Sequence, residues 1–507
     1  MSDTPPVGQR FSMQRITSLR PVDPMGWVRF VVVVVVVLFV VVQVVRIARF
    51  DYRTGPLVGD QASHLLQALS FSDGLNLNFD SNDIAEWQEV GWTETPRGVF
   101  FQQSDSGYSF SKPYGYSVWL SPFVFVLGPV SGVAFANAAL VVLLVALGST
   151  IIHRRFGWDV SFVASVVFVF GSSAYLFAYV IHPDVFLATL TGIVALLLLR
   201  LDERRTLVAA VLLGLVVGFA VSEKPPLVFA YGLGLAAVVW RARSRRLTGT
   251  LAAGLVLGWL IAVVPYLVHS DFDSWNPYAG DRYYSADGDV PFDLTPESSS
   301  AWKTEADRYF SVSYVTETIS EHGRDTVGST LYAVIGRHTG MLPFMPLGLG
   351  LLVLALRRRG VTNLLGVAVV AGLLGYLAFY LILFPLNYFG GAQTIGNRYL
   401  LQVLPLALLL APLGALTQRS LIRLTAVAVV ASMFFLGPHH RDPERSFWLL
   451  SRVSIAQQLL PFEHDRIDDI VFACGTYELE VIVDRGSDLC HEVFGIEVDR
   501  VLVEQGG

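Results

Sequence analysis

The sequence predicts an all-α polytopic membrane protein of about eleven transmembrane helices, with a small β-rich exterior segment at its C-terminus. Three observations predict it. Of 507 residues, 53% are hydrophobic and only 15% charged, too little polar surface for a soluble chain of this length. Apolar stretches long enough for a hydrocarbon core of ~30 Å recur along the chain. Short arginine-rich connections alternate with loops that carry acids, histidines and aromatics, as expected of cytoplasmic and exterior loops. No repeat, metal-finger spacing, phosphate loop or nucleic-acid motif occurs. The net charge of −6 is an average over both sides and says little about partners. Arginine far outnumbers lysine, which occurs only at Lys112, Lys224 and Lys303; with the Ala/Val/Leu/Gly richness this points to a GC-rich bacterial genome.

The first span runs from Trp27 to Ala48 and contains the valine run 31–37. Arg10, Arg15 and Arg20 precede it and Arg29 sits at its start, which puts the N-terminus on the cytoplasmic side of a bacterial plasma membrane. It is long for a cleaved signal peptide and has no small-residue cleavage site. Further spans are expected over 132–152, 160–179, 183–200, 206–221, 225–240, 248–268, 339–356, 361–385, 399–416 and 421–437. The connections "HRRFGW" (153–158), "DERR" (202–205), "RARSRR" (241–246), "RRRG" (357–360) and "TQRSLIR" (417–423) are short and basic, hence cytoplasmic. The exterior receives the long loops 49–115 and 269–335, "HPD" (182–184), "SEKPP" (222–226), "NYFGGAQTIGNRY" (387–399) and the tail from 439. The apolar "GYSVWLSPFVFVLG" (115–128) would reverse every later connection if it crossed. It is too short to do so and is expected to be re-entrant or interfacial.

The domain division is therefore a transmembrane domain 1–438 and an exterior C-terminal segment 439–507. From about 463, "DIVFACG", "TYELEVIVD" and "GIEVDRVLVEQ" alternate apolar and polar residues, the pattern of half-buried strands. Cys474 and Cys490 both fall there. An oxidising exterior permits a disulfide between them, worth roughly 3 kcal/mol on the chain-entropy model; the alternative is two unpaired thiols in a small core.

Few charges fall mid-helix, which argues against an ion or proton path through the bilayer. The unusual polar residues gather instead at exterior helix ends: Asp60, His64, Lys112, His182, Asp184, Glu223, Lys224, Arg337, His338, Asn397 and Arg398. All three lysines are exterior, against the positive-inside trend. An anionic group at the membrane surface would account for them, and Arg and Lys are the usual binders of phosphate.

Four stretches in this order resemble the GT-C superfamily of membrane glycosyltransferases: an acid within "GDQASHLL", "SKPYGYSVWLSPF" before the second helix, "HPD" opening the fourth, and "GGAQTIGNRYLLQVLP" leading into a late helix. The resemblance spans about residues 50 to 415. It implies a polyprenyl-phosphate sugar donor and a first-loop carboxylate that takes the acceptor's proton while the anomeric configuration inverts. On that basis Asp60 is the candidate base and Asp184 a second catalytic acid. Arg398 is the first choice for the donor phosphate, with Lys112 and Lys224 in support. His64, His182, Arg337, His338 and Asn397 complete the candidate substrate-binding set. The chemistry suits these residue types: a sugar hydroxyl attacks well only as a positioned base removes its proton, and fixed cations stabilise a departing phosphate.

Each assignment has a structural rival. Asp60 and Asp184 stand where helix caps stand, His64 can be a packing histidine, Glu223 and Lys224 can neutralise each other, and Arg398 can be a snorkelling anchor. Several GT-C members carry two adjacent acids in the first loop, whereas Gln61 follows Asp60 here. A divalent metal prefers clustered oxygens, so no obligatory cofactor is expected, a divalent metal being the alternative. The aromatic and acidic "DSWNPYAGDRYY" and "AWKTEADRYFSVSYV" of loop 269–335 are candidates for acceptor recognition, or for an interfacial belt. The function expected is transfer of a sugar from a polyprenyl-phosphate donor to an envelope glycan, glycolipid or protein on the exterior face. The alternatives are a transporter or flippase of lipid-linked sugars, which should show a midplane site and related halves, and a non-catalytic envelope-assembly partner of the same fold.

Overall fold

The computed structural model describes residues 24–54, 57, 59–91, 96, 99–104, 107–269, 282–284, 300–302, 312–357, 361, 363–385, 387–390, 395–441, 454–461 and 463. The expected C-terminal strands and the pair Cys474 and Cys490 lie outside the described residues.

The molecule is mostly helical. Among the described residues six helices are long and apolar enough to cross a membrane: α1 (Pro24–Ala48), α5 (Pro129–Phe156), α8 (Asp184–Arg204), α11 (Arg245–His269), α15 (Leu364–Leu383) and α18 (Gln418–Arg441). The other five expected spans fall on shorter or broken helices. α9 (Leu207–Glu223) and α10 (Leu227–Ala242) are each under 18 residues. Gly171 and Ser172 divide 160–179 into α6 (Trp158–Phe170) and α7 (Ser173–Phe177). Met345 divides 339–356 into α13 (Met341–Phe344) and α14 (Pro346–Leu356). In 399–416, Pro405 sits in a 3-10 stretch, Leu404–Leu409, between α16 (Arg398–Val403) and α17 (Leu410–Leu413). A proline cannot donate to the ladder, so a break there is expected. The segment 115–128 is helical as well, α4 (Gly115–Leu127); its 13 residues reach only about 20 Å, less than a bilayer core.

Tight helix contacts come from small residues. Gly214 and Gly218 on α9 face Gly254 and Gly258 on α11 so closely that a Cβ on any of the four would strike the opposite backbone. This is the small-xxx-small packing of membrane helices, where close backbone approach replaces the hydrophobic drive available in water. α1 differs: its valine face is largely exposed, with Val36, Val40 and Val44 packing inward.

The two long loops are more structured than expected. The first holds α2 (Asp60–Gly74), α3 (Ser81–Glu89) and strands β1 (Asn78–Phe79), β2 (Phe100–Ser104) and β3 (Gly107–Phe110). The second contributes β4 (Arg282–Tyr284), β5 (Ser300–Trp302) and α12 (Val312–Ile335), kinked at His322. The strands form one antiparallel sheet in the order β1-β3-β2-β4-β5. Phe100 pairs with Tyr284 and Phe101 with Tyr283, so the two long loops meet at the same end of the helix bundle. Phe79, Phe101 and Phe110 pack into the core under that sheet.

Candidate functional site

Five of the sequence-selected side chains converge where α2, the strap before α4, the turn before α8 and the start of α16 meet. Asp60 is the first residue of α2, after Gly59 at φ 65°. Its carboxylate does not close the helix as a cap. It forms an ion pair with Lys112, lies 2.9 Å from His182 Nε2 and 3.6 Å from Arg398 Nη2. His182 is the hub. Its Nδ1 lies 2.7 Å from Asp184 Oδ2, and Arg398 Nη1 is 3.0 Å from its Nε2. Asp184, the first residue of α8, is fully buried and accepts from Gln402 Nε2 at 2.6 Å. Gln402 in turn accepts from the Tyr376 hydroxyl at 3.0 Å. The order Asp60–His182–Asp184–Gln402 thus runs from an opening, where Asp60 is 22% exposed, into the bundle.

Local sequence explains how each group is held. The turn that carries His182 is pinned from α5. Asn137 Nδ2 donates to Ala178 O (3.3 Å) and Val180 O (3.2 Å), and the Tyr52 hydroxyl donates to Ala178 O (2.9 Å). Lys112 lies under the sheet with Nζ 3.9 Å from the Phe100 ring centre. Its carbonyl accepts from Gln67 Nε2 (3.1 Å) and the Tyr266 hydroxyl (2.5 Å). Arg398 opens α16, and the "NYFGG" approach lets it lie flat: Gly390, at φ 106°, sits against the Arg398 side chain where a Cβ would collide. Buried Arg398 Nε makes no hydrogen bond among the described residues. Tyr399 follows, stacked on Tyr380 with ring centres 3.9 Å apart, and Lys224 Nζ lies 4.7 Å from the centre of its ring.

The charges set the state of the acid. Burial alone would push the Asp60 carboxyl up, but Lys112, His182 and Arg398 outweigh it and hold it well below the usual carboxylate range. This arrangement therefore keeps Asp60 ionised and tightly paired. Asp60 and Asp184 face opposite nitrogens of one imidazole ring, so their oxygens do not converge as a divalent cation requires. Among the described residues no three His, Cys, Asp or Glu side chains do.

Other selected residues point elsewhere. His64 lies behind the site, buried, with Nδ1 3.2 Å from Ser117 Oγ and its ring edge-on to Tyr116. Burial pushes its pKa down to about 3, so it is a neutral packing imidazole at working pH. Asn397 is buried and caps α16, accepting from Leu400 N at 3.0 Å. Arg337 and His338 turn towards residues 458–463. Glu223 and Lys224 part company: both Glu223 oxygens accept from Gly115 N, at 3.1 and 3.2 Å, while Lys224 goes to Tyr399. Sequence reasoning missed Tyr399, Gln402, Asn137 and Phe100. A lone Gln within "LLQVLP" and a lone Asn within "FANAAL" were the available signals, since a polar residue in an apolar helix needs a partner.

Beside the site an apolar groove of about 400 Å³ opens between α9, α10 and α11. Val217, Val221, Leu255, Trp259 and Val263 line it, and Pro113 and Tyr266 bring its wall to the Lys112 strap.

No family model matches the chain, and no curated protein matches it. Among solved structures it is similar to the crystal structure of ArnT from Cupriavidus metallidurans bound to undecaprenyl phosphate. The TM-score is 0.47 and the identity 16%, over 95% of this chain and 73% of that one.

Proposed function

We propose that this chain is a membrane glycosyltransferase that moves a sugar from a polyprenyl-phosphate donor to an acceptor at the membrane surface, with inversion. The observation that carries it is Asp60: a partly exposed carboxylate held by Lys112, His182 and Arg398, beside an apolar groove. Lys112 and Arg398 take the donor phosphate. The lipid chain follows the groove between α9, α10 and α11, whose lining is almost wholly apolar. Asp60 accepts the proton of the attacking hydroxyl as the glycosidic bond forms, and the lipid phosphate leaves with the electrons of the anomeric C–O bond. His182, backed by Asp184 and Gln402, orients Asp60 and carries part of its charge. The reading keeps the N-terminus in the cytoplasm and the long loops outside, as the basic connections require.

A transporter would place its site at the bilayer midplane; here the charged cluster lies at the ends of α2, α8 and α16, next to the sheet formed by the long loops. The test is sugar transfer by purified protein in nanodiscs, with radiolabelled polyprenyl-phosphate sugars and a crude envelope acceptor. Asp60→Asn is expected to lower kcat by about 10²–10⁴-fold with the fold intact. Wild-type transfer by Asp60→Asn would remove Asp60 as base, and tight donor binding without transfer by the wild type would favour transport or assembly.

A further inference from the structure

The backbone that presents Arg398 is braced by a segment far along the chain. Arg398 N donates to Phe389 O (3.0 Å), Asn397 Nδ2 to Tyr388 O (3.2 Å) and Gly396 N to His338 O (2.6 Å). Two walls therefore hold the start of α16: the loop 387–390 and the turn 336–340. Both lead to one side chain, Glu463, which is fully buried. Its Oε1 accepts from His338 N (2.7 Å), Thr339 N (2.9 Å) and Thr339 Oγ1 (3.0 Å), and its Oε2 lies 3.0 Å from His338 Nδ1. The Thr339 hydroxyl has one proton, which goes to Glu463, so its 2.7 Å contact with the Tyr388 hydroxyl is one in which Tyr388 donates. Gly336 lies against the same carboxylate, where a Cβ would collide. The neighbouring chain is tied to the same turn: Arg337 N donates to Pro461 O (2.9 Å) and Arg337 Nη2 to Gln458 O (2.9 Å).

A buried carboxylate is a costly tether, since an apolar side chain would pack as well. What the charge adds is geometry. Four contacts on two oxygens fix residues 338 and 339 relative to Tyr388, and so fix both walls relative to each other.

We propose that Glu463 is a positioning residue for the donor-phosphate site. Through Thr339, Tyr388 and the His338 carbonyl it sets the backbone of Gly396–Arg398, and with it the reach of the Arg398 guanidinium towards Asp60 and His182. This rests on the reading of Arg398 as a phosphate-binding residue.

The experiment measures binding of polyprenyl phosphate, without sugar, to the full chain in nanodiscs, alongside donor KM and kcat. Glu463→Ala is expected to weaken binding and raise donor KM about tenfold, with a smaller change in kcat. Glu463→Gln should recover most of the loss, because its amide oxygen still accepts from both backbone amides and Thr339. In the Arg398→Ala background Glu463→Ala should add nothing, as residues acting through one another are not additive. Should Glu463→Ala fail to fold, Thr339→Val makes the same comparison. Additive losses, or unchanged binding in a folded Glu463→Ala or Thr339→Val protein, would overturn the positioning role alone. Wild-type lipid-phosphate binding by Arg398→Ala would overturn the phosphate assignment, and this role with it.

Discussion

At the scale of single residues, the site is a set of charges that need one another. Lys112 favours the ionised state of Asp60, together with His182 and Arg398. Lys112→Met is therefore expected to raise the Asp60 pKa and move the acid limb of the kcat/KM profile to higher pH, read by assaying both proteins across a pH series. The sign for stability follows from the same shift. The folded pKa lies below the unfolded value of about 3.9, so the pairing stabilises the fold above that value and is lost as pH falls through the folded pKa. The five converging residues were legible because acids, a histidine and cations at exterior helix ends are out of place in so apolar a chain. The same signal named Asn397, Arg337 and His338, which turn instead to a helix cap and to residues 458–463. Position at a helix end is visible in sequence; the direction of a side chain depends on partners hundreds of residues away. Glu463 was invisible for that reason.

At the scale of elements, composition and periodicity predicted where apolar helices lie but not where they break. Gly171, Met345 and the stretch around Pro405 interrupt segments that read as continuous, because protein burial lets a broken helix satisfy its backbone elsewhere. The strands of the loops escaped notice because each is at most five residues long and β2 finds a partner in β4, far along the chain. α9 and α11 depend on their four facing glycines. Gly258→Leu would drive a side chain into Leu215 and Phe219 of α9, with an expected cost of about 1–3 kcal/mol. A thermal-unfolding series in detergent measures it, and the groove beside Lys112 should lose lipid-phosphate affinity in the same variant.

At the scale of the whole molecule, the membrane class and the alternation of short basic connections with long loops were legible, since lipid constrains composition more strongly than packing does. Pairing of β2 with β4 joins the two long loops, so one face of the bundle carries both. In a background lacking Cys474 and Cys490, Glu89→Cys is expected to react with an impermeant maleimide on intact cells, and Arg246→Cys only after permeabilisation. Both positions are exposed, so the reverse pattern would invert the orientation. The clasp of cations around Asp60 also dictates a sequence of events. A carboxylate already matched by Lys112, His182 and Arg398 is a weak proton acceptor, and it remains one until another anion draws the cations off. On the proposed function an arriving lipid phosphate is that anion, which makes the substrate its own key: initial-rate kinetics should be ordered, lipid first, and acceptor should bind productively only to the lipid-loaded protein.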